Sequence, residues 1–300
     1  MTEIKFVKMN PTENTTILVE SPVPLERHAE VARALMSDVS VCAEQTGFIE
    51  RPKNDEAWAR LQMTGGEFCG NATMSLAAFL VWRNFSGELA KKNSQKGRER
   101  KINVPLEVSG VKGVIECAIT PRDGFFLGTV RLSAPEGISD MELPIAGSRF
   151  VLTVVRLPGI THVIVPLEIF GSSGAVLRES ALKAVDDWAR ILDAEAFGVM
   201  LYDADRCSIT PLVHVRESET TVWERGCGSG SAAVGAYIAA VAKKSVISRV
   251  SQPGGLIEVD ARYEGGLVAD VSITGRVSVS TRGTAYIQGN AMEVRNGKRC

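Results

Sequence analysis

Two stretches of this chain read alike: FCGNATMSLAAFLV (68–81) and GCGSGSAAVGAYIA (226–239). Each sets a Cys-Gly pair before a small, polar first turn and then runs on in apolar residues. A run that is apolar on every face predicts a helix buried from all sides. The copies lie about half the chain length apart, and the segments before them follow one plan of strands, a helix and strands. Repetition at that spacing points to duplication and to two similar halves. A chain of 300 residues is long enough for each half to bury such a helix.

Around the repeats the pattern gives strands at 4–9 and 15–20 and an amphipathic helix over 24–38. Strands follow at 45–50 and 59–63, then a helix from Cys69 to about Trp82. Antiparallel strands bounded by Gly and Pro cover 102–110, 111–120 and 128–134. The second half repeats this with strands at 149–159 and 161–167 and a helix over 174–192. Strands at 197–204 and 208–217 lead through TTVWERG (220–226) into the second cysteine turn, whose helix ends near Lys243. Short strands fill the remainder: LIEVDARY, LVADVSI, RVSVS and TAYIQG. The expected fold class is α+β. Two pseudo-symmetric domains, 1–145 and 146–283, each wrap a mainly antiparallel, strongly curved sheet or barrel around a central helix. The last segment, about 284–300, packs back on the first domain, and the active site lies in the cleft between domains.

Charge is nearly balanced, with 34 Lys plus Arg against 35 Asp plus Glu. No strong field favours nucleic acid or an anionic membrane. The basic stretch KKNSQKGRERK (91–101) carries no interleaved aromatics and reads as a solvated loop. The opening MTEIKFVKMN has no apolar signal core, and no run reaches the roughly 20 apolar residues of a membrane span. The expectation is a soluble cytoplasmic protein with reduced thiols. None of the six cysteines forms a CxxC pair, and the three histidines are isolated, so no metal site is expected.

A thiol at a helix mouth sits beside N–H groups that have no partner inside the helix and at the positive end of its dipole. That setting lowers a thiol pKa from about 8.5 toward neutrality. The same N–H groups can hold a carboxylate. One such turn is most often a small apolar residue in a core; two matched turns facing each other across a cleft would put two thiols on one bound molecule. A thiolate on one face and a thiol on the other can remove and return the proton next to a carboxylate, inverting that carbon. The developing charge spreads into the carboxylate held at the helix mouths. This chemistry needs no cofactor, and no dinucleotide or P-loop fingerprint is present.

The chain resembles the diaminopimelate epimerase superfamily over nearly its whole length. KMNPTEN (8–14), CAEQTGF (42–48), FCGNA (68–72), ERGCGSGSA (224–232) and QPGG (252–255) are similar to that superfamily's motifs. The resemblance implies Cys69 and Cys227 as the acid–base pair, with His162 and Glu224 in support. It implies substrate contacts from Asn14, Gln45, Gln62, Gly70, Asn71, Arg225, Gly228 and Ser229. Each of the lone polar residues also has a purely structural reading. His162 can be a satisfied core residue, Glu224 a strand-end carboxylate, Asn14 and Gln45 turn stabilisers, and Arg225 either a carboxylate anchor or an inter-strand ion pair. Amides expected for a distal carboxylate are missing: GITH (159–162) lacks the Asn, and Met200 stands near another such place. The compact CGSG turn with CAEQ and QPGG is closer to the cofactor-independent histidine racemases, which supply D-histidine for opine-type metallophores. That branch implies an amino-acid substrate, no cofactor, no nucleic acid or membrane partner, and a homodimer. A diaminopimelate epimerase is the alternative, and a non-catalytic amino-acid-binding protein a distant third.

Overall fold

In the computed structural model, residues 1–92, 100–170, 174–216 and 219–288 are described. The first half lays down β1 (Thr2–Pro11), β2 (Thr16–Val19), α1 (His28–Met36), β3 (Gln45–Glu50) and β4 (Ala59–Met63). α2 (Gly70–Lys92) follows, then β5 (Ile102–Val108), β6 (Val114–Arg122) and β7 (Phe125–Leu132). After β8 (Gly137–Ile145) come β9 (Ser148–Leu157), β10 (Ile160–Pro166), α3 (Gly174–Ile191), β11 (Ala196–Asp203), β12 (Ser208–Val215) and β13 (Thr220–Trp223). α4 (Gly228–Ala242), β14 (Val246–Gln252), β15 (Gly255–Glu264) and β16 (Leu267–Ile287) complete the described chain.

The strand pairing repeats one order of senses. β1 to β7 pair in chain order, antiparallel except for the parallel pairs β2–β3 and β4–β5. β9 to β12, then β14 to β16, repeat the same senses, with β10–β11 and β12–β14 parallel. Each parallel pair needs a crossover, and α1, α2, α3 and α4 supply them in turn. β16 is shared: Val271–Val277 pairs with β7 and Val277–Ile287 with β1, so the first set of strands closes into a ring around α2. β8 instead pairs antiparallel with β9.

α2 is buried on every side from Ala72 to Val81, and α4 from Gly230 to Ala236. Both share one hydrophobic core with strands of both sets. Small residues make this possible in α4, where a Cβ on Gly235 would lie 3.0 Å from Val259 Cβ. α3 and α1 each cover a smaller satellite core, with Trp188 and Val185 under the first and Val31 and Leu35 under the second.

Several expectations need revision. α2 continues ten residues past Trp82, to Lys92. Only residues 93–99 of the expected basic loop lie outside the described chain, as do 289–300 of the expected closing segment. The three short strands expected after LIEVDARY are one continuous strand, β16. β8 and β14 were not anticipated. Among the described residues, no helix is long and apolar enough to cross a membrane, and no cluster of three metal-binding side chains occurs.

Candidate active site

Both cysteines stand immediately before a helix. Cys227 caps α4: its Sγ accepts the Gly230 N–H at 3.3 Å. Cys69 does the same for α2, accepting the Ala72 N–H at 3.4 Å. The hydroxyl four residues on donates back to the cysteine carbonyl in each turn, Thr73 and Ser231 both at 2.8 Å. The two turns also touch. Asn71 Nδ2 donates to Gly226 O at 3.1 Å, and Ile273 of the shared strand packs against both Gly70 and Gly228. Added Cβ atoms there would lie 2.9 and 3.0 Å from Ile273 Cδ1, so glycine is what lets both helix mouths approach one point.

A network of side chains surrounds each sulfur. Cys69 Sγ lies 3.2 Å from Gln45 Oε1. The Gln45 amide donates to Asn14 Oδ1 and, at 2.8 Å, to Thr16 Oγ1, while Asn14 Nδ2 donates to Glu44 at 2.8 Å. On the other side Cys227 N donates to Gln252 Oε1 at 2.6 Å, and Gln252 Nε2 donates to Ser231 Oγ at 3.0 Å. Ser229 Oγ lies 3.6 Å from Cys227 Sγ. Glu224 contacts Cys227 and Asn14 and acts electrostatically on both thiols. The cavity bordering both turns, between Phe68 and Ser229, holds only about 30 Å³. That is room for a water and not for an amino acid.

The thiols are not activated in this state. Burial pushes Cys69 up to about 12; the Ala72 N–H opposes this, while Glu67 and Glu224 add to it. Burial, then the Glu224 charge, hold Cys227 well above the usual thiol range. This corrects the expected lowering by the helix mouths. One N–H bond and a helix dipole do not offset desolvation and a neighbouring carboxylate. Burial also raises Glu224 to about 7, with Glu44 adding to the rise. Glu44 is itself raised, mainly by burial and against the pull of Arg225.

The remaining expected residues divide. Asn14, Gln45, Asn71, Gly70, Gly228, Ser229 and Glu224 come together around the two sulfurs. Gln62 is engaged elsewhere, accepting from Arg60 at 2.9 Å and donating to Met63 O at 3.1 Å. Arg225 is an ion pair with Glu13 at 2.6 Å, joining two turns rather than two strands. His162 is fully buried and bonds to neither thiol; neither ring nitrogen has a partner. Its ring fills the notch at Gly198 on β11, with Met200 next along that strand lying against Gly230. Gln252, the polar side chain ahead of the Pro-Gly-Gly turn, is a site residue that the motif alone does not assign.

The family profile described as the histidine racemase CntK N-terminal domain matches residues 3–286. A histidine racemase of Staphylococcus aureus (strain Mu50) is 29% identical over 287 residues, covering 95% of this chain and 98% of that protein. A histidine racemase of Fusobacterium nucleatum is also 29% identical, over 95% of this chain and 97% of its own. Among solved structures, a hydroxyproline epimerase of Agrobacterium vitis with bound trans-4-hydroxy-L-proline superposes with a TM-score of 0.67 at 15% identity. It covers 94% of this chain and 92% of its own. A PhzF-family phenazine biosynthesis protein of Bacillus anthracis superposes with a TM-score of 0.66 at 17% identity, over 96% and 100%. These structures share the epimerase fold. The chain belongs to the histidine racemase family described by that profile, and it is an isomerase of the racemase class.

Proposed function

We propose that the chain inverts the α-carbon of histidine with Cys69 and Cys227 as a two-base pair. The observation that carries this reading is the pair of matched helix-mouth thiols bridged by Asn71 and sharing Glu224. The substrate carboxylate takes the unpaired first-turn N–H groups of α2 and α4, at Gly70, Asn71, Gly228 and Ser229. Asn71 Oδ1, buried and without a partner, accepts from the substrate ammonium. One sulfur, as thiolate, takes the α-proton; the other, as thiol, delivers a proton to the opposite face. The roles exchange for the reverse direction. The α-ammonium supplies the positive charge that the two thiols and two raised carboxyls lack, and so makes a thiolate accessible in the filled site.

Electrostatics favour a cationic side chain. Glu44 and Glu224 stand at the site, and Arg225, the positive group acting on Glu44, is committed to Glu13. Gln62 is engaged by Arg60, and the thioether of Met200 has no hydrogen to donate, so a distal carboxylate finds little grip. The product, D-histidine, serves as a building block of an opine-type metallophore made in a reducing, cytoplasmic setting. The two pseudo-symmetric domains we infer exchange strands. Residues before β8 and the β1-paired end of β16 form one, and β8 to the rest of β16 the other, with the site in the cleft between them.

The test is α-proton exchange in deuterium oxide, followed by NMR, with L-histidine and LL-diaminopimelate offered separately. Exchange with histidine is expected. Exchange with diaminopimelate alone would overturn the substrate assignment in favour of the epimerase reading.

A further inference from the structure

Cys227 is buried, and part of what packs over its turn comes from a turn outside the cysteine pair. Between β1 and β2, Thr12 and Glu13 both take the left-handed conformation, with φ of 50° and 59°. Two consecutive left-handed residues are uncommon outside glycine, and least favoured for a β-branched threonine. The turn holds this shape through its contacts. Glu13 N donates to Asn10 Oδ1 at 2.8 Å, Asn14 N to Pro11 O at 3.0 Å, and Thr12 N to Arg276 O at 3.0 Å.

Thr12 is buried against glycines. Its carbonyl oxygen occupies the space where a Cβ on Gly226 or Gly254 would stand, and its methyl group lies 3.2 Å from the corresponding position on Gly255. Gly226 is the residue before Cys227. Gly254 N donates to Arg225 O at 2.7 Å, tying the QPGG turn to the same strand end. Beside this seat, the Arg225 guanidinium bonds to Glu13 at 2.6 Å and to Pro253 O at 3.3 Å. The next residue, Asn14, joins the Gln45 network that reaches Cys69. One short turn therefore holds the second cysteine turn at one end and the first cysteine's partners at the other. On its outer side lies a groove of about 610 Å³ lined by Asn10, Thr12, Glu13, Gly254, Gly255 and Arg276. That groove can take an amino acid, as the smaller cavity between Phe68 and Ser229 cannot.

We propose that Glu13 and Arg225, with Thr12 seated on Gly226, Gly254 and Gly255, form a clasp that positions Cys227 against Cys69 and separates the site from this groove. Glu13 is a positioning residue: it touches neither sulfur and acts through Arg225 and Asn14. This rests on the reading that both thiols serve one site, but its test does not need turnover. The ion pair is half exposed, and such pairs are worth about 0.2–1 kcal/mol. Its loss is therefore expected to change opening by about 1.4- to 5-fold. Displacing the seated carbonyl is expected to do more.

The experiment compares the parent protein with Glu13→Gln, Gly254→Ala and the charge-exchanged pair Glu13→Arg/Arg225→Glu. Peptide-resolved mass spectrometry follows iodoacetamide labelling of each cysteine without substrate, with exposed Cys42 as internal reference. Cys227 and Cys69 are expected to label about 1.4- to 5-fold faster in Glu13→Gln. The rise should be larger in Gly254→Ala and reversed toward the parent in the exchanged pair. High salt should speed labelling of the parent and not of Glu13→Gln. Unchanged Cys227 labelling in both single variants, at unchanged Tm, would overturn the clasp whatever the enzyme's substrate proves to be. Faster labelling with no rescue by charge exchange would remove the ion pair from it.

Discussion

Replacing His162 by leucine isolates the thermodynamic cost of a buried imidazole. The ring is fully buried with both nitrogens unpartnered, and burial depresses its pKa from 6.5 to about 3. The native state therefore cannot take up the proton that the unfolded chain binds below about pH 6.5. A depressed folded value gives stability that is present above the unfolded pKa and lost as pH falls toward the folded one. Each pH unit in that window is worth about 1.4 kcal/mol. Between about pH 7 and about pH 4.5 the parent should lose about 2.5 kcal/mol through this residue alone. The leucine variant loses none of it, while every other titrating group is common to both proteins. At neutral pH leucine should cost little, since it replaces two unpaired polar atoms with apolar surface. Urea unfolding at the two pH values, extrapolated linearly, reads the difference directly. Equal pH dependence in parent and variant would refute the argument, because it would mean that the native ring takes up the proton as readily as the unfolded chain does.

Three further outcomes follow from the same structure. Glu224 has the opposite sign: its folded value of about 7 lies above the ordinary 4.5, so its contribution is full below that lower value and lost as pH rises through the higher. With allowance for its partial exposure, Glu224→Gln should abolish a fall of about 2 kcal/mol between those limits, measured by the same unfolding series. Asn71→Ala removes the bridge to Gly226 O and a buried hydrogen bond of about 1–3 kcal/mol. Spent on site geometry, that is a loss of about 5- to 150-fold in kcat, followed by circular dichroism of the substrate. Gly198→Ala would set a Cβ 2.7 Å from Met200 Cε and against the His162 ring, and overpacking of this kind costs about 1–3 kcal/mol. A Tm equal to the parent's would contradict that packing.

Much of the fold is written in local patterns. β3 and β4 follow the predicted limits: β4 alternates apolar and polar residues, and β3 is a short run bounded by polar segments. The buried helices were legible because FCGNATMSLAAFLV and GCGSGSAAVGAYIA are apolar all round, and the duplication because the two read alike. The missed parts depend on partners far along the chain. β8 alternates only over Met141–Ile145, its first half carries Ser139 and Asp140, and it extends from Gly137 because β9 offers an edge. β16 reads as three short strands, interrupted at Gly275 and Gly283, and stays continuous because β15, β7 and β1 pair with it in succession. The site shows the same division. The cysteine turns and Asn14 with Gln45 are local motifs. The height of the thiol pKa values depends on burial and on Glu224, and the engagement of Arg225 depends on Glu13, which lies 212 residues away. Neither can be read from spacing.

The most direct measurement of the central claim is histidine racemisation by Cys69→Ser and Cys227→Ser, each with its Tm recorded. The account predicts that either substitution removes interconversion of the enantiomers while the protein remains folded. Racemisation at the parent rate in either folded variant would contradict it.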